Sequence, residues 1–283
     1  METVQELTAE LRHDELAGVQ SSAWLLELSL DWIMLRASEN IHHLLHESHV
    51  TLIDEPLGQF VHAQALHDLR NLFARLSATT GIARAYGVRL TDDYDLVDIA
   101  FQLSDGRVLL EAVPSAPGFG ECFGSVGGLV AGLSHGSAQA LLDGGARRMR
   151  ALTGYDRVTL VCGDKRAESS RGGFDRPADL RQALPPVIAD TRAGAVSIFP
   201  RQTDETSVDG ALFCAPVPSA SETLQVAGIG SVLRIPFSSE IFSGTFQCDS
   251  RTPCEPRLEL HAAAELFAQL FAMQLEIDRL RGR

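Results

Sequence analysis

Apolar residues in the first third of the chain follow two periods, one typical of strands and one typical of helices. Two short strands come first, over residues 24–28 and 32–35. Between residues 57 and 76 the apolar positions recur every three to four residues, which predicts helices. Three further strands follow, over residues 83–90, 96–103 and 107–113. The turn Ser104-Asp-Gly106 joins the last two, because glycine tolerates a positive φ. This order predicts a five-stranded antiparallel sheet with helices on one face.

A second set of elements occupies the rest of the chain. Residues 137–152 have helical periodicity, and Gly154 is placed to end that helix. Gly144 and Gly145 lie inside it, where each costs about 1 kcal/mol relative to alanine. Residues 231–237 and 241–248 are predicted to form a hairpin, and a long helix is predicted over 255–280. The Gly-rich stretch 114–132 between the two sets is interpreted as a flexible joint, since its glycine spacing does not fit a dinucleotide loop.

The terminal helix has an apolar seam with the three-four spacing of a coiled coil. Its positions are Ala263, Leu266, Leu270, Met273, Ile277 and Leu280. One interpretation is that this stripe packs on the domain's own sheet. The other, which we favour, is contact with a second copy of the chain. We therefore predict a homodimer whose interface includes Leu266, Leu270, Met273, Ile277 and Leu280.

Composition and charge exclude several classes of protein. The 283 residues are 45% hydrophobic and 22% charged, which is typical of a globular protein of two ordinary domains. The net charge of −13 opposes binding to a nucleic acid, and no basic patch offsets it. No apolar run is long enough to span a membrane, and the N-terminus lacks the features of a signal peptide. Five cysteines without a C-x-x-C pair indicate reduced thiols, so we expect a cytoplasmic protein without a membrane or nucleic-acid partner.

Candidate chemistry is sparse. His42 and His46 share a face of a predicted helix, so a metal site is conceivable, but we expect a solvated helix and no metal. Ser38 or Asn40 is expected to cap that helix. Cys214 is either a reactive thiol or, as we expect, a small buried side chain. No nucleophile, base and orienting group can be assembled from the sequence, which predicts a protein that is not an enzyme.

Three stretches carry a resemblance to phytochromes. Thr153-Gly-Tyr-Asp-Arg-Val158 resembles very closely the T-G-F-D-R-V start of the phytochrome GAF domain. Gly18-Val-Gln20, with Leu25 and Leu26, resembles the opening of the phytochrome PAS domain. The stretch 213–230 is similar to the segment that lines the bilin chromophore pocket. Its matching residues are Phe213, Pro218, Leu224, Gly228 and Ile229. The chain therefore resembles a bacteriophytochrome photosensory module.

The resemblance implies an α+β fold with two domains. It places an N-terminal arm at 1–16, a PAS domain at 17–115, a linker at 116–132, a GAF domain at 133–255 and a C-terminal GAF and dimerisation helix at 256–283. Each domain is expected to be an antiparallel sheet with flanking helices. Because the segment 188–196 resembles the loop through which the N-terminal arm passes in phytochromes, a figure-of-eight knot is also implied.

The residues that hold a bilin in the family are replaced here. The bacterial attachment cysteine lies in the N-terminal arm, whereas the first cysteine of this chain is Cys122. The resemblance places the other pocket residues at positions that now carry different side chains, or in one case a leftover acid. These positions are Asp179, Cys214, Val217, Ser219, Ala220, Thr223, Asp249 and Ser250. For Asp179 we favour the interpretation as an ordinary helix cap or surface acid. Because burying propionates without a cationic partner is costly, no cofactor is expected, and biliverdin in particular is not.

These observations predict a bacterial, chromophore-free sensory module. It would act in signal transduction through dimerisation and through a downstream histidine kinase or other signalling protein. The alternative is a sensor that binds another ligand, either a non-covalent tetrapyrrole or a small metabolite, in the GAF pocket.

Overall fold

The computed structural model describes residues 18–76, 81–92, 95–104, 106–118, 120–133, 137–174, 184–200, 208 and 210–281. Over these residues the protein is α+β and divides into two units, each with an antiparallel sheet and helices. The first unit contains the described residues up to 116 together with 193–219, and the second contains 117–192 and 220–281. The predicted arm at 1–16 lies outside the described residues, so the knot stays a prediction.

The first unit is a seven-stranded sheet with three helices, numbered here in chain order. The strands are β1 Gly18–Gln20, β2 Trp24–Leu28, β3 Met34–Ser38, β4 Ala83–Val88, β5 Val97–Ser104, β6 Arg107–Pro114 and β10 Ala195–Phe199. The helices are α1 His42–Leu45, α2 His49–Leu52 and α3 Ala63–Leu76. Their order across the sheet is β1-β10-β3-β2-β6-β5-β4. The apolar core lies between sheet and helices, where Phe73 of α3 contacts both Trp32 and Phe101.

The second unit has five strands and four helices. The strands are β7 Arg157–Cys162, β8 Lys165–Ser170, β9 Val187–Ile188, β11 Ser231–Ser238 and β12 Ser243–Ser250, in the order β8-β7-β12-β11-β9. The helices are α4 Glu121–Ala131, α5 Ala138–Thr153, α7 Leu258–Arg281 and most of α6 Pro218–Val226. Ser137 accepts a hydrogen bond from the Ala140 amide and Gly154 adopts a left-handed φ of 74°, so both ends of α5 are capped locally.

The first sheet has two more strands than predicted. Residues 195–199, far along the chain, form β10, which pairs with β3 on one side and with β1 on the other. The opposite edge of β1 is also hydrogen-bonded, because the Gln20 amide donates to the Phe213 carbonyl and the Ala215 amide donates to the Gly18 carbonyl, both at 2.9 Å. Two stretches of the segment 193–219 therefore enclose the first strand of the protein.

Three local predictions differ from the structure. Strand β3 begins at Met34 because Trp32 has a φ of 66°, which belongs to a turn. Ser38 makes no cap: its hydroxyl accepts from the Leu25 amide, and Asn40 donates to the Ala23 carbonyl instead. His46 follows α1 in a left-handed conformation, so it does not share a helix face with His42.

The stretch interpreted as a flexible joint contains helix α4. Its glycines have low helix propensity, but tertiary packing against α7 stabilises the helix. A carboxylate oxygen of Glu259 accepts hydrogen bonds from the amides of Gly120 and Cys122 at 2.9 and 3.1 Å. The first turn of α4 therefore receives its acceptor from α7, which a local pattern does not reveal.

A buried carboxylate holds the later segment to the first sheet. Glu111 of β6 is 2% exposed, and its two oxygens accept hydrogen bonds from the amides of Leu212 and Phe213, each at 2.8 Å. Burial raises the pKa of Glu111 from 4.5 to about 7, although these two amides and Arg84 act in the opposite direction. Glu111 therefore exchanges a proton near neutral pH.

Glu111 is expected to make stability depend on pH. The folded state keeps the proton up to about pH 7, whereas the unfolded chain releases it near 4.5. The contribution of Glu111 to the free energy of unfolding is therefore fully present below its unfolded-state pKa. It is lost as pH rises through the folded-state pKa, by about 3 kcal/mol in total. Glu111→Gln removes the titrating carboxyl group. The unfolding free energy of the variant relative to the wild type should therefore rise between pH 5 and about 8. Urea unfolding across that range measures the difference. Glu47→Gln, at an exposed side chain, is the control. A constant difference for Glu111→Gln would contradict the prediction.

Candidate functional site

The sheet of the second unit has one apolar face and one polar face. Phe237 and Phe246 point to the helices and contact the rings of Phe267 and Phe271 on α7. Because side chains alternate along a strand, the neighbours of Phe246 on β12 point the other way. The opposite face therefore carries polar side chains at the centre of the sheet. We call Arg157, Thr159, Gln247 and Asp249 the polar face.

The polar face is buried despite its chemistry. Arg157 is opposite Asp249, and Thr159 is opposite Gln247 in the register of β7 and β12. None of the four residues is more than 1% exposed. Burial of charged and amide groups is costly unless they are paired. Each polar atom of this face is therefore expected to have a hydrogen-bond partner.

An ion pair lies at the end of this face. Nε and Nη2 of Arg157 donate to Oδ2 of Asp249 at 2.8 and 2.6 Å. Burial raises the pKa of Asp249 above its usual value, while the adjacent guanidinium and Gln247 lower it. Because desolvation is the largest effect, the carboxylate depends on Arg157 to stay ionised.

Gln247 is only half satisfied. Its Nε2 donates to Oδ1 of Asp249 at 3.0 Å. Its Oε1 is buried and accepts no hydrogen bond from the part of the chain that the structure describes. Thr159, across the strand pair, donates to Glu168 at 3.4 Å. The centre of the polar face thus presents a buried carbonyl oxygen that has no donor among the residues the structure describes.

Phe174 closes one end of the polar face. Its ring lies between two guanidinium groups, with Cζ of Arg157 at 4.1 Å and Cζ of Arg251 at 4.2 Å from the ring centroid. Arg251 also donates to the carbonyls of Arg171 and Gly173, at 3.2 and 2.6 Å. These contacts fix the loop before Phe174 against the end of β12.

Apolar residues and a cavity adjoin the polar face. A small buried cluster contains Ile188, Leu224, Ile229 and Val232, with Phe174, Leu184 and Ala227 packed against it. A cavity of about 380 Å³ lies further along the same strands. Four of its lining residues share the face of Gln247 by strand register, namely Val161, Arg234, Pro236 and Thr245. A ligand with both polar and apolar atoms would find partners for both here.

The predicted pocket positions fall in different places. Cys214, Val217 and Ser219 belong to the first unit, and Ala220, Thr223, Asp249 and Ser250 to the second. Ala220 is buried and Thr223 exposed on α6, whereas Asp249 and Ser250 are adjacent on β12. Asp179 lies outside the described residues. The structure therefore places one predicted position, Asp249, on the polar face.

Cys214 is buried and hydrogen-bonded. It is 7% exposed, and its thiol donates to the Val208 carbonyl at 2.9 Å. Its own carbonyl accepts from Nε2 of Gln20 at 3.0 Å. These contacts favour the small buried role over the reactive thiol.

Sequence reasoning missed Gln247 and did not assign a role to Arg157. A signal for both was present, because polar residues alternate with apolar ones on each strand: Arg157 and Thr159 around Val158, and Gln247 and Asp249 around Cys248. Among the described residues, no group of three His, Cys, Asp or Glu side chains is arranged to hold a metal ion. No described helix is long and apolar enough to cross a bilayer.

Solved structures with the same fold come from bacteriophytochromes. The chromophore-binding domain of an unusual bacteriophytochrome from R. palustris matches with a TM-score of 0.76 at 19% identity, over 94% of this chain and 96% of that one. The chromophore-binding domain of Stigmatella aurantiaca phytochrome P1 matches with a TM-score of 0.73 at 20% identity, over 91% and 95%. This chain has the phytochrome PAS–GAF fold. The division into a PAS domain at 17–115 and a GAF domain at 133–255 stays a prediction.

The phytochrome comparison extends to a longer structure. The photosensory core module of the Stigmatella aurantiaca phytochrome matches with a TM-score of 0.75 at 20% identity. The match covers 93% of this chain but 58% of the core module. No protein-family model and no curated protein matches the sequence.

The phytochrome comparison corrects the expectation that the chain has no cofactor. The matching structures are chromophore-binding domains, which contradicts an expectation that rested on replaced motif residues. Replacement at the motif positions did not make the second unit apolar, because Arg157, Gln247 and Asp249 keep a buried polar face on its sheet. Counting lost motif residues therefore overlooked polar groups that the strand register brings together.

Proposed function

We propose that this chain is the sensory module of a phytochrome-type receptor and binds a linear tetrapyrrole in its second unit without a covalent bond. The PAS–GAF fold supports the receptor class, and the buried polar face beside an apolar cluster carries the ligand proposal. A tetrapyrrole has an apolar ring system with N–H, carbonyl and carboxylate groups, which requires both kinds of surface. The module is proposed to signal rather than to catalyse.

The placement of the cysteines supports a site without a covalent bond to the ligand. Residues 1–121 contain no cysteine. The resemblance to phytochromes also implies that Ser219 stands where plant-type members carry their attachment cysteine. Of the five cysteines, Cys162, Cys214 and Cys248 are buried. Burial raises the pKa of Cys248 well above its usual value, so its thiol is a poor nucleophile.

Co-expression with a biliverdin-producing enzyme tests this proposal. The purified protein should carry a red-absorbing pigment that separates from the chain on denaturation and leaves no zinc-dependent fluorescence on the denatured band. A colourless protein that also fails to bind added biliverdin contradicts the tetrapyrrole proposal. If such a protein instead releases a small metabolite in native mass spectrometry, a sensor of a different ligand replaces it. A pigment that stays attached contradicts only the non-covalent part.

We further propose that α7 mediates a homodimer in the cytoplasm and leads to a downstream signalling partner such as a histidine kinase. Leu266, Met273, Ile277 and Leu280 are 40–63% exposed, and Leu270 is half-buried. The opposite side of α7 is already filled by the unit's own core, including Phe267 and Phe271. The exposed seam is therefore available to a second copy.

Introducing charge into this seam should separate the copies. The double variant Met273→Glu and Ile277→Glu is expected to raise the dimer dissociation constant about a hundredfold, because each change occurs twice in a symmetric interface. Sedimentation equilibrium measures the constant. Gln269→Glu, at an exposed polar position of α7, is the control for added charge. A wild-type monomer, or equal dissociation of control and double variant, argues against this interface.

A further inference from the structure

Gln247 has a buried acceptor that the described residues leave unused. The side chain lies on β12 between Asp249 and Thr245 on the same face, opposite Thr159 on β7 and Arg234 on β11. It is 1% exposed, and the described residues offer no donor to its Oε1. An unpaired buried carbonyl costs about 1–3 kcal/mol, so its presence in a buried sheet face requires a reason.

The orientation of the amide is fixed by its neighbour. Asp249 accepts two hydrogen bonds from Arg157 through Oδ2 and one from Gln247 through Oδ1. A carboxylate held ionised by a guanidinium can only accept, so the NH₂ group of Gln247 must face it. Oε1 is then directed away from Asp249. The ion pair therefore determines where the free carbonyl oxygen points.

A cavity is lined by two strand neighbours of Gln247 that share its face of the sheet. The cavity of about 380 Å³ is lined by Arg234, which pairs with Gln247 across β11 and β12, and by Thr245, two residues earlier on its own strand. The apolar cluster on the other side includes Val232, which pairs with Asp249. Gln247 thus lies between an open cavity and apolar side chains.

We propose that Oε1 of Gln247 accepts a hydrogen bond from a ring N–H of the bound tetrapyrrole and is a specificity-determining residue of the site. This inference rests on the proposed function. Pyrrole and lactam N–H groups are donors that must be paired when the ligand is buried, and Gln247 supplies a pre-oriented acceptor. The competing explanation is that Gln247 only positions Asp249 through Nε2.

Two substitutions at this position separate the explanations. Gln247→Met keeps the length of the side chain but removes both the acceptor and the donor. Gln247→Glu, at a pH where the new carboxyl shares a proton with Asp249, keeps an acceptor oxygen and a donor to Asp249. Gln269→Met, the same substitution at an exposed position of α7 on the other side of the sheet, is the control. Biliverdin titration monitored by absorbance gives the dissociation constant for each protein, and urea unfolding of the ligand-free proteins checks their folding.

The expected result is a dissociation constant about tenfold higher for Gln247→Met, with near wild-type values for Gln269→Met and for Gln247→Glu at mildly acidic pH. Gln247→Glu should weaken binding as pH rises and the shared proton is lost, and Gln247→Met should also shift the ring N–H bands in Raman spectra. Wild-type affinity and spectra in Gln247→Met overturn this inference and leave the proposed function standing. Lack of biliverdin binding by the wild type overturns both.

Discussion

Arg157→Met is expected to lower the free energy of unfolding by roughly 3–5 kcal/mol, the cost of leaving a buried carboxylate without its partner. Arg157 is 1% exposed and Asp249 is fully buried, so water cannot replace the lost guanidinium. The Phe174 ring also loses the cation on one of its faces. Urea unfolding followed by circular dichroism measures the change.

The loss should depend on pH in a defined direction. Burial already raises the pKa of Asp249, and without Arg157 it rises further because the opposing charge is gone. When the pKa of an acid is higher in the folded state than in the unfolded state, its contribution to the free energy of unfolding is fully present below the unfolded-state pKa. That contribution is lost as pH rises through the folded-state pKa. Arg157→Met should therefore be nearest to the wild type at acid pH. A deficit that is constant with pH would argue against an ionised Asp249.

The double variant Arg157→Met and Asp249→Leu is the matched test of the pair. It removes both charges, so it should be more stable than Arg157→Met alone even though it carries one more substitution. Additive destabilisation by the two changes would mean that the residues do not act as a pair.

Two adjacent glycines in α5 are expected to respond with opposite signs to the same substitution. A Cβ built on Gly145 lies 2.5 Å from Cε2 and 2.8 Å from Cζ of Phe271, whereas one built on Gly144 has its nearest atoms, in Arg148 and Leu133, at 3.5 and 3.6 Å. Gly145→Ala should therefore cost about 1–3 kcal/mol through overpacking, and Gly145→Leu more. Gly144→Ala should stabilise the protein by about 0.5–1 kcal/mol, as in an ordinary helix.

Phe271 cannot move aside to accept a Cβ at Gly145. Its ring is fully buried and contacts three other rings, those of Phe237, Phe246 and Phe267, at centroid distances of 5.8, 5.3 and 6.3 Å. Thermal unfolding of the two alanine variants gives the signs directly. Stabilisation by Gly145→Ala would show that α5 and α7 do not approach as closely as the structure has them.

Local chemistry explains which elements were predictable. The hairpin at 104–106 and the ends of α5 depend on residues within a few positions, and Gly106 and Gly154 adopt the positive φ that their place in the sequence indicates. Gly145 shows the limit of local patterns, because a helix-propensity scale counts this glycine only as a destabilising residue. The ring of Phe271, from another part of the chain, packs so close to Gly145 that there is no space for a Cβ.

Two elements could not be predicted from the sequence because their hydrogen-bond partners lie far away along the chain. Residues 195–199 have no period that assigns them to the first sheet, and their hydrogen-bond partners lie in β1 and β3. Helix α4 was hidden by Gly124, Gly127 and Gly128, and its first-turn acceptor is Glu259. These features depend on contacts across more than a hundred positions, which no local pattern contains.

The site was predictable in its strands but not in its chemistry. The resemblance named Asp249 as a pocket position, which stays a prediction, and alternation on β7 and β12 could have added Arg157 and Gln247. What alternation cannot give is the register that places Arg157 opposite Asp249, or the fact that both are buried. The cofactor expectation was wrong because it weighed only the positions that a known motif names.

The enclosure of β1 by the segment 193–219 constrains the order in which a newly made chain can fold. Nε2 of Gln20 reaches the Cys214 carbonyl across 194 positions, so the ribosome must finish the start of the second unit before the edge of the first sheet can close. Until then the amino-terminal strand lacks the hydrogen-bond partners that β10 and residues 213–215 provide in the folded unit. Such long-range closure is slow, and completion of the first unit is therefore tied to translation well beyond residue 116.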